Sequence, residues 1–280
     1  MKTEHILARV NDALAPLNAA RPDADATRAA LQLLASDLAE QLRMESAASK
    51  GVGNAAKTIQ AMFKRLRKSD HRPSLHYAWV DAKGRQCMCD GFRAFRLTEH
   101  IPTDERPADV GDPIDLDTIV PAITPDTFYA LPMPSLAEVK AHIAIERAAK
   151  RSPLWDFGDA APTVNAEYLR DLLAVLPDAA EIYVKRGGSG IGSPMYAKGE
   201  RGEALLLPVR CTRYAAKVAA ANEREAEAAV AEAAAREDAK RRSQLEFLLR
   251  CYRDELDHNP QYSLTPDQFA ELAKYAQPAA

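Results

Sequence analysis

The sequence predicts an α+β protein built around an internal duplication, and two observations lead to this prediction. One amphipathic helix followed by three short strand-like runs occurs twice along the 280 residues. Alanine-rich helical extensions flank the two copies. Neither copy can bury both its apolar helix stripe and its apolar sheet face alone, so we expect the two copies to pack against each other.

The first copy begins with a helix for which Asn54 is the expected N-cap. Its apolar residues follow the helical spacing i, i+3, i+4, i+7 at Ile59, Met62, Phe63 and Leu66. Strand-like runs follow at 75–80, 85–89 and 92–97. Asp90-Gly91, between the last two runs, is a strong signal for a two-residue hairpin turn.

The second copy repeats this order, beginning with a helix that Asn165 caps. Its apolar residues have the same spacing, at Leu169, Leu172, Leu173 and Leu176. Strands are predicted at 181–185, 193–197 and 204–209. The shared order with little residue identity indicates a structural duplication.

These patterns divide the chain into a helical N-terminal arm at 1–50, a domain at 54–210 and a helical C-terminal tail at 212–280. Within the domain, the two units span about 54–100 and 160–210, and a proline-rich, acidic insert at 101–159 separates them. In the insert, 112–120 is a candidate strand and 134–152 is predicted to be a helix capped by Ser135. The tail begins with one long helix at 212–257.

Composition excludes several classes of protein. A net charge of −3 excludes a histone-like polycation, so contact with nucleic acid would need a local basic surface. No apolar run approaches the length of a membrane span, and the first residues do not have the pattern of a secretory signal. The four cysteines form no C-x-x-C motif and indicate no disulfide framework. A reduced, cytoplasmic location is the expectation.

Two motifs at matching places connect the units to a known family. The second unit contains Asn165, Tyr168, Leu169, Asp171, Leu173 and Leu176, then Ser193-Pro194, then Leu207–Arg210. This resembles the closing module of the bacterial sliding clamp, the beta subunit of DNA polymerase III, with its NxxYLxDxLxxL helix, Ser-Pro strand and final MPMR. The first unit carries CDGFRAFRL at 89–97, similar to the clamp's TDGHRLA, with Phe92 where His is usual.

The chain also departs from the family pattern. A clamp protomer has three such domains, whereas here the resemblance covers roughly one, with a long insert and a helical tail. The pattern is more similar to the shortened clamp-like proteins of phages and mobile elements. The resemblance implies a DNA-clamp fold and a non-enzymatic DNA replication accessory protein, with no catalytic residue and no cofactor. One domain cannot encircle a duplex, so a ring implies a homo-oligomer.

A clamp-like protein contacts double-stranded DNA through helices that present cations to phosphates without reading the sequence. The first helix suits this role because its cations lie opposite its apolar stripe. The candidate DNA-binding residues are Lys57, Lys64, Arg65, Arg67, Lys68, Arg72 and, on the second helix, Arg170. An ordinary solvated helix face would show the same charge pattern.

The family also docks short peptides of replication proteins. By resemblance, the pocket here would be bordered by Asp90, Gly91, Arg93, Phe95, Pro208, Val209 and Arg210. A strand that ends in proline leaves a ladder position unpaired, and an apolar rim beside an arginine suits an extended peptide. The alternative is that these residues close the sheet and pack its core.

Other features favour ordinary structural roles. Cys87 and Cys89 share a strand face, but nothing fixes the four converging ligands of a metal site, so none is predicted. The glycine-rich stretch at 187–192 precedes a strand rather than a helix, which excludes a dinucleotide site. The QLEFL stretch at 244–248 resembles a clamp-binding peptide, but it lies inside a predicted helix.

Two other functions stay open. The chain could be a clamp-fold adaptor that binds a host replication or defence protein and no DNA. It could also be a coiled-coil assembly driven by 212–257, although that helix lacks seven-residue apolar repeats. Salt-dependent DNA binding would separate the replication role from both alternatives.

Overall fold

The computed structural model describes residues 3–16, 23–69, 72–259, 261 and 263–276. In these residues the helices are α1 (Thr3–Leu14), α2 (Ala24–Ser49), α3 (Gly53–Ser69), α4 (Leu136–Ala148), α5 (Ala166–Val175), α6 (Tyr214–His258) and α7 (Pro266–Ala276). The strands are β1 (Trp79–Val80), β2 (Gln86–Cys89), β3 (Arg93–Leu97), β4 (Phe128–Pro132), β5 (Leu154–Asp156), β6 (Thr163–Asn165), β7 (Glu181–Lys185), β8 (Met195–Gly199) and β9 (Gly202–Leu206). The α+β prediction is confirmed.

One antiparallel sheet joins the two halves in the order β1-β2-β3-β9-β8-β7-β4. At its centre, β3 from the first half pairs with β9 from the second, with Arg93 opposite Leu206 and Leu97 opposite Gly202. Reading outward from this pair, each side continues with the other two strands of its own half. The helix-plus-three-strand units therefore occupy equivalent positions on either side of the β3–β9 pair.

Helices cover one face of this sheet. α3 and α5 pack side by side, α2 packs on the outer side of α3, and α4 packs on the outer side of α5. The predicted apolar stripes of α3 and α5 face the core, where Ile59, Met62, Leu169 and Leu172 are each at most 1% exposed. Burying such a stripe provides most of a helix's stability in a protein.

The insert covers the opposite face of the central strands. Leu116 is 3% exposed, and the Tyr196 hydroxyl on that face donates to the Ile119 carbonyl oxygen at 3.4 Å. β2 and β3 are therefore buried on both faces, whereas the sequence predicted one apolar face only. The candidate strand at 112–120 is wrong: this segment contains turns and no strand, and the strands that the structure describes in the insert are β4 and β5.

Asp117 fixes the insert to the sheet. Its carboxylate pairs with Lys83 at 2.7 Å, Arg85 at 2.6 Å and Arg96 at 2.5 Å. The hydrogen bonds from Lys83 and Arg85 lower the pKa of Asp117 to about 2. This set of long-range ion pairs explains why an acidic, proline-rich segment has a defined position.

Several predicted element boundaries shift. The run at 75–80 keeps only β1, because Pro73–Leu75 forms a 3₁₀ turn. Asn54 lies inside α3, which starts at Gly53, and so does not cap it. Asn165 does cap α5, with its side chain accepting from the Glu167 N–H at 2.8 Å. The Ser135 cap of α4 is also confirmed, as part of a capping box.

The long helix α6 is anchored to the domain near its N-terminus. The Lys217 side chain is 1% exposed, and its ammonium donates to the Asp156 carboxylate and to the carbonyl oxygens of Gly158 and Ala161. Most of α6 beyond Ala221 is exposed. No helix in the described part of the chain is long and apolar enough to span a bilayer.

Candidate nucleic-acid interface

Helix α3 is the most basic element of the protein. Its sequence GNAAKTIQAMFKRLRKS contains five cations and no acid. They are Lys57, Lys64, Arg65, Arg67 and Lys68, and all five are exposed. The buried residues of the helix occupy the opposite side, so the cations face away from the sheet.

The helical register separates these cations into a stripe and two flanks. Because an α-helix turns by about 100° per residue, Lys57, Lys64 and Lys68 lie within a stripe roughly 40° wide and about 16 Å long. Arg65 and Arg67 lie about 80° to either side of it. Within the described chain, no hydrogen bond or ion pair engages the three lysine side chains.

The flanking arginines are held by acids from other elements. Arg67 pairs with Asp104 at 2.7 Å and lies over the Tyr77 ring at 5.1 Å. Asp104 also pairs with Arg43 of α2 at 2.7 Å, so it links α2 to α3. On the other flank, Arg65 reaches α5.

Asp171 of α5 pairs with three arginines where the two halves meet. Its carboxylate, 5% exposed, accepts from Arg65 at 3.2 Å, from Arg170 at 2.5 Å and from Arg93. Arg93 is 1% exposed and also donates to Asp90 at 2.8 Å. Burial opposes ionisation, but the charge and hydrogen bonds of Arg93, together with Arg170, lower the pKa of Asp171 below its ordinary value. The cluster is therefore a buried ionic link between β3 and α5.

The Asp-Gly turn is displaced by one residue from the predicted position. The Asp90 N–H donates to the Arg93 carbonyl oxygen at 3.1 Å, so the two central residues of the turn are Gly91 and Phe92. Gly91 has φ +85°, which a glycine adopts without strain. The Asp90 carboxylate accepts from the backbone N–H groups of Phe92 at 2.9 Å and Arg93 at 2.8 Å. This arrangement places Phe92 at the tip of the hairpin.

Aromatic and cationic side chains stack at this tip. The Phe92 ring stacks on Tyr168 of α5, with centroids 5.7 Å apart and planes 25° apart. On Tyr168, the Arg93 guanidinium lies 4.7 Å from the ring centroid. Arg72 is also close, because a Cβ added at Gly91 would lie 3.0 Å from its Nη2.

The residues expected to border a peptide pocket divide into buried and accessible ones. Arg93 and Phe95 are each 1% exposed and Asp90 is 6% exposed, so these three pack the sheet and offer no surface to a peptide. The Pro208 position is not left unpaired, since it bridges to Val164, and the Val209 N–H donates to the Thr163 carbonyl oxygen at 2.7 Å.

Accessible surface remains at the other predicted pocket positions. Gly91, Pro208 and Val209 are partly exposed, and Arg210 is exposed with its guanidinium 5.7 Å from the Tyr214 ring centroid. Pairing with β6 explains why the last strand ends at Leu206 rather than at 209.

Comparison with known proteins adds little to this geometry. No family model and no curated protein matches the chain. Among solved structures, the chain is similar to the Helicobacter pylori beta clamp bound to a DNA ligase peptide, at 16% identity and a TM-score of 0.27. The similarity covers 45% of this chain and 40% of the clamp chain. A TM-score this low does not establish a shared fold.

Helix α2 forms one wall of a groove along the lysine stripe. A cavity of about 770 Å³ is lined by Lys57 and Lys64 on one side and by Glu40 and Glu45 of α2 on the other. Lys68 lies beyond this groove. The acidic wall partly balances the first two lysines.

Sequence reasoning missed several residues of this surface. Tyr168 and Asp171 were noted as motif residues but not as site residues, although their place in the motif was an available signal. Phe92 was noted only as a departure from the family pattern. Nothing near Asp104 in the sequence indicates its pairing with Arg67, 37 positions away.

Proposed function

We propose that the protein is a non-enzymatic, clamp-like DNA accessory protein of the shortened phage type, which holds double-stranded DNA without reading its sequence. One observation supports this most strongly: α3 carries five exposed cations and no acid in a chain of net charge −3. In a chain of net negative charge, contact with nucleic acid needs a local basic surface of this kind.

The geometry of the lysine stripe fits a phosphate backbone. Duplex DNA carries one charge for about every 1.7 Å of its axis, so a stripe about 16 Å long faces roughly ten phosphate charges. Lysines contact phosphates as mobile point charges, and this suits binding that slides rather than reads bases. Arg65 and Arg67 border the stripe and pair with Asp171 and Asp104.

Topological retention would require several copies. One domain of this size cannot surround a duplex, so encirclement needs a closed ring of protomers joined head to tail. We propose such a homo-oligomer as the DNA-loaded form. Replication proteins would dock through short peptides at the accessible residues Gly91, Pro208, Val209 and Arg210.

The test is to measure the mass of the protein, and its retention on DNA, with closed circular and linear duplexes of the same sequence. The proposal predicts binding to unrelated sequences with similar affinity, and longer retention on circles than on linear DNA. Absence of DNA binding at about 50 mM salt would contradict the DNA role. Equal retention on both forms would contradict encirclement of the DNA but not DNA binding.

A second candidate function is an adaptor that binds a protein and no DNA. Exposed apolar side chains on the tail favour it: Val230 is 71% exposed, Phe247 59% and Phe269 65%. Exposed apolar groups of this kind often mark protein contacts. Under this alternative, a variant with Phe247→Ser and Phe269→Ser would no longer bind its protein partner. Neutralising the α3 lysines would leave that binding unchanged.

A further inference from the structure

The tip of the β2–β3 hairpin presents an aromatic ring that is exposed yet rigidly placed. Phe92 is 55% exposed. Its backbone is fixed on both sides, because its N–H donates to Asp90 at 2.9 Å and its carbonyl oxygen accepts from the Leu207 N–H at 2.8 Å. Leaving a phenylalanine half in water forgoes part of the roughly 1.5–3 kcal/mol that full burial would contribute.

The ring also takes part in a cluster around Tyr168. The Tyr168 ring contacts both the Phe92 ring and the Arg93 guanidinium. The Arg93 guanidinium is itself fixed by Asp90 and Asp171. Phe92 is therefore supported by groups that are anchored in the core, while more than half of its own surface is exposed. A further planar group could stack on the exposed ring at little conformational cost.

Cations lie near this ring. The Arg72 guanidinium lies beside Gly91, the residue before Phe92. The half-exposed Arg65 and the partly exposed Arg170 meet at Asp171, which also binds Arg93, the arginine in contact with Tyr168. Arg65 joins this area to the lysine stripe of α3. An exposed ring bordered by arginines combines the two features of single-strand binding surfaces, a stacking platform and a cationic track.

We propose that Phe92 stacks an unpaired DNA base, while Arg65, Arg72 and Arg170 contact the phosphates beside it, so that the protein binds a single-stranded segment next to duplex held on α3. This inference rests on the proposed function. Bases within a duplex are already stacked on both faces, so the ring can reach only an unpaired one. A junction of duplex and single strand would engage α3 and the platform together.

The same surface could be imagined to bind an acidic, apolar peptide. Among the described residues of the Asp90–Asp171 cluster, the three arginines outnumber the two aspartates. This excess of positive charge beside an exposed ring matches a polyanion with planar groups better than an acidic, apolar peptide. The peptide therefore enters the experiment as a competing outcome.

The test compares three variants of the full chain by fluorescence anisotropy. Phe92→Leu keeps an apolar side chain without an aromatic face, Phe92→Trp keeps the face, and Leu131→Met is a control substitution on the β4 edge. The probes are a labelled oligothymidine, a labelled duplex, a labelled junction with a thymidine overhang, and a labelled QLEFL peptide. A thermal melt of each variant confirms its folding.

We expect Phe92→Leu to weaken binding to the oligothymidine and the junction by about 5- to 100-fold, the range for one stacked base, and to leave duplex binding unchanged. Phe92→Trp should retain wild-type affinity or exceed it. Equal affinity of wild type and Phe92→Leu for the single strand would overturn the inference. If the duplex still binds in that case, the proposed function stands. A loss restricted to the QLEFL peptide would also overturn it, in favour of peptide docking. No binding to any DNA probe would reject both proposals.

Discussion

Helices α3 and α5 occupy equivalent places in the two halves, yet their surfaces differ sharply. α3 has 17 residues, five exposed cations and no acid. α5 has 10 residues, of which six are buried, including Asp171, one of its two acids. One helix therefore presents charge to solvent, and its counterpart uses charge inside the protein to join the halves.

The difference shows how two units of similar architecture can divide two tasks. A buried carboxylate surrounded by arginines fixes geometry, because removing either sign leaves an unpaired charge away from water. An exposed row of lysines contributes little to stability and stays available for a ligand. The buried Asp171 of α5 should therefore govern folding, and the exposed lysines of α3 should govern duplex binding.

The largest effect should follow from Asp171→Asn. The variant removes one of the two counter-charges of the buried Arg93, and we expect the free energy of unfolding to fall by about 3–5 kcal/mol. Urea denaturation would measure it. Lys68→Gln on α3 is the matched control and should stay within about 0.5 kcal/mol of wild type. A loss below about 1 kcal/mol for Asp171→Asn would show that the cluster does not hold the halves together.

Lowering the pH should reduce the stability that Asp171 contributes. The pKa of Asp171 is lower in the folded protein than its ordinary value of about 3.9, so its stabilisation is complete above that value and is lost as pH falls through the folded pKa. The stability difference between wild type and Asp171→Asn should therefore narrow when urea titrations move from pH 6 to pH 3. A difference that is constant across this range would contradict the ionic role.

A smaller change in stability should distinguish the N-terminus of α5 from that of α3. Asn165→Ala removes the side chain that caps α5 and should cost about 1 kcal/mol. Asn54→Ala, at the corresponding place before the stripe of α3, removes no cap and should be neutral or slightly stabilising. Thermal melts of the two variants check this pair, and equal losses would show that Asn54 caps α3 in solution.

Local patterns predicted much of this architecture. The spacing of Ile59, Met62, Phe63 and Leu66 predicted the buried face of α3, and Asn165 predicted the start of α5, because both depend on residues within one or two helical turns. The order of elements also predicted that the two units would pack against each other, whereas the single sheet that joins them was not predicted. These features follow from short-range periodicity and capping.

The candidate site was less predictable because it depends on contacts between distant residues. Arg93 and Phe95 were expected at a pocket rim, but α5 covers one side of β3 and the insert covers the other. The register of the Asp-Gly turn moved by one residue because the Asp90 side chain binds the N–H groups that follow it. Phe92 consequently lies at the tip, and no pattern within the hairpin alone indicates its stacking on Tyr168.

The salt dependence of duplex binding tests the central claim most directly, that the α3 lysines carry the DNA contact. The variant is Lys57→Gln, Lys64→Gln and Lys68→Gln together, and the control replaces the exposed Lys150, Lys185 and Lys240 in the same way. Each lost phosphate contact reduces the slope of log affinity against log salt by about 0.9. The slope should therefore fall by about 2.7 for the α3 variant and should hardly change for the control. Equal slopes for the α3 variant and wild type would contradict the account.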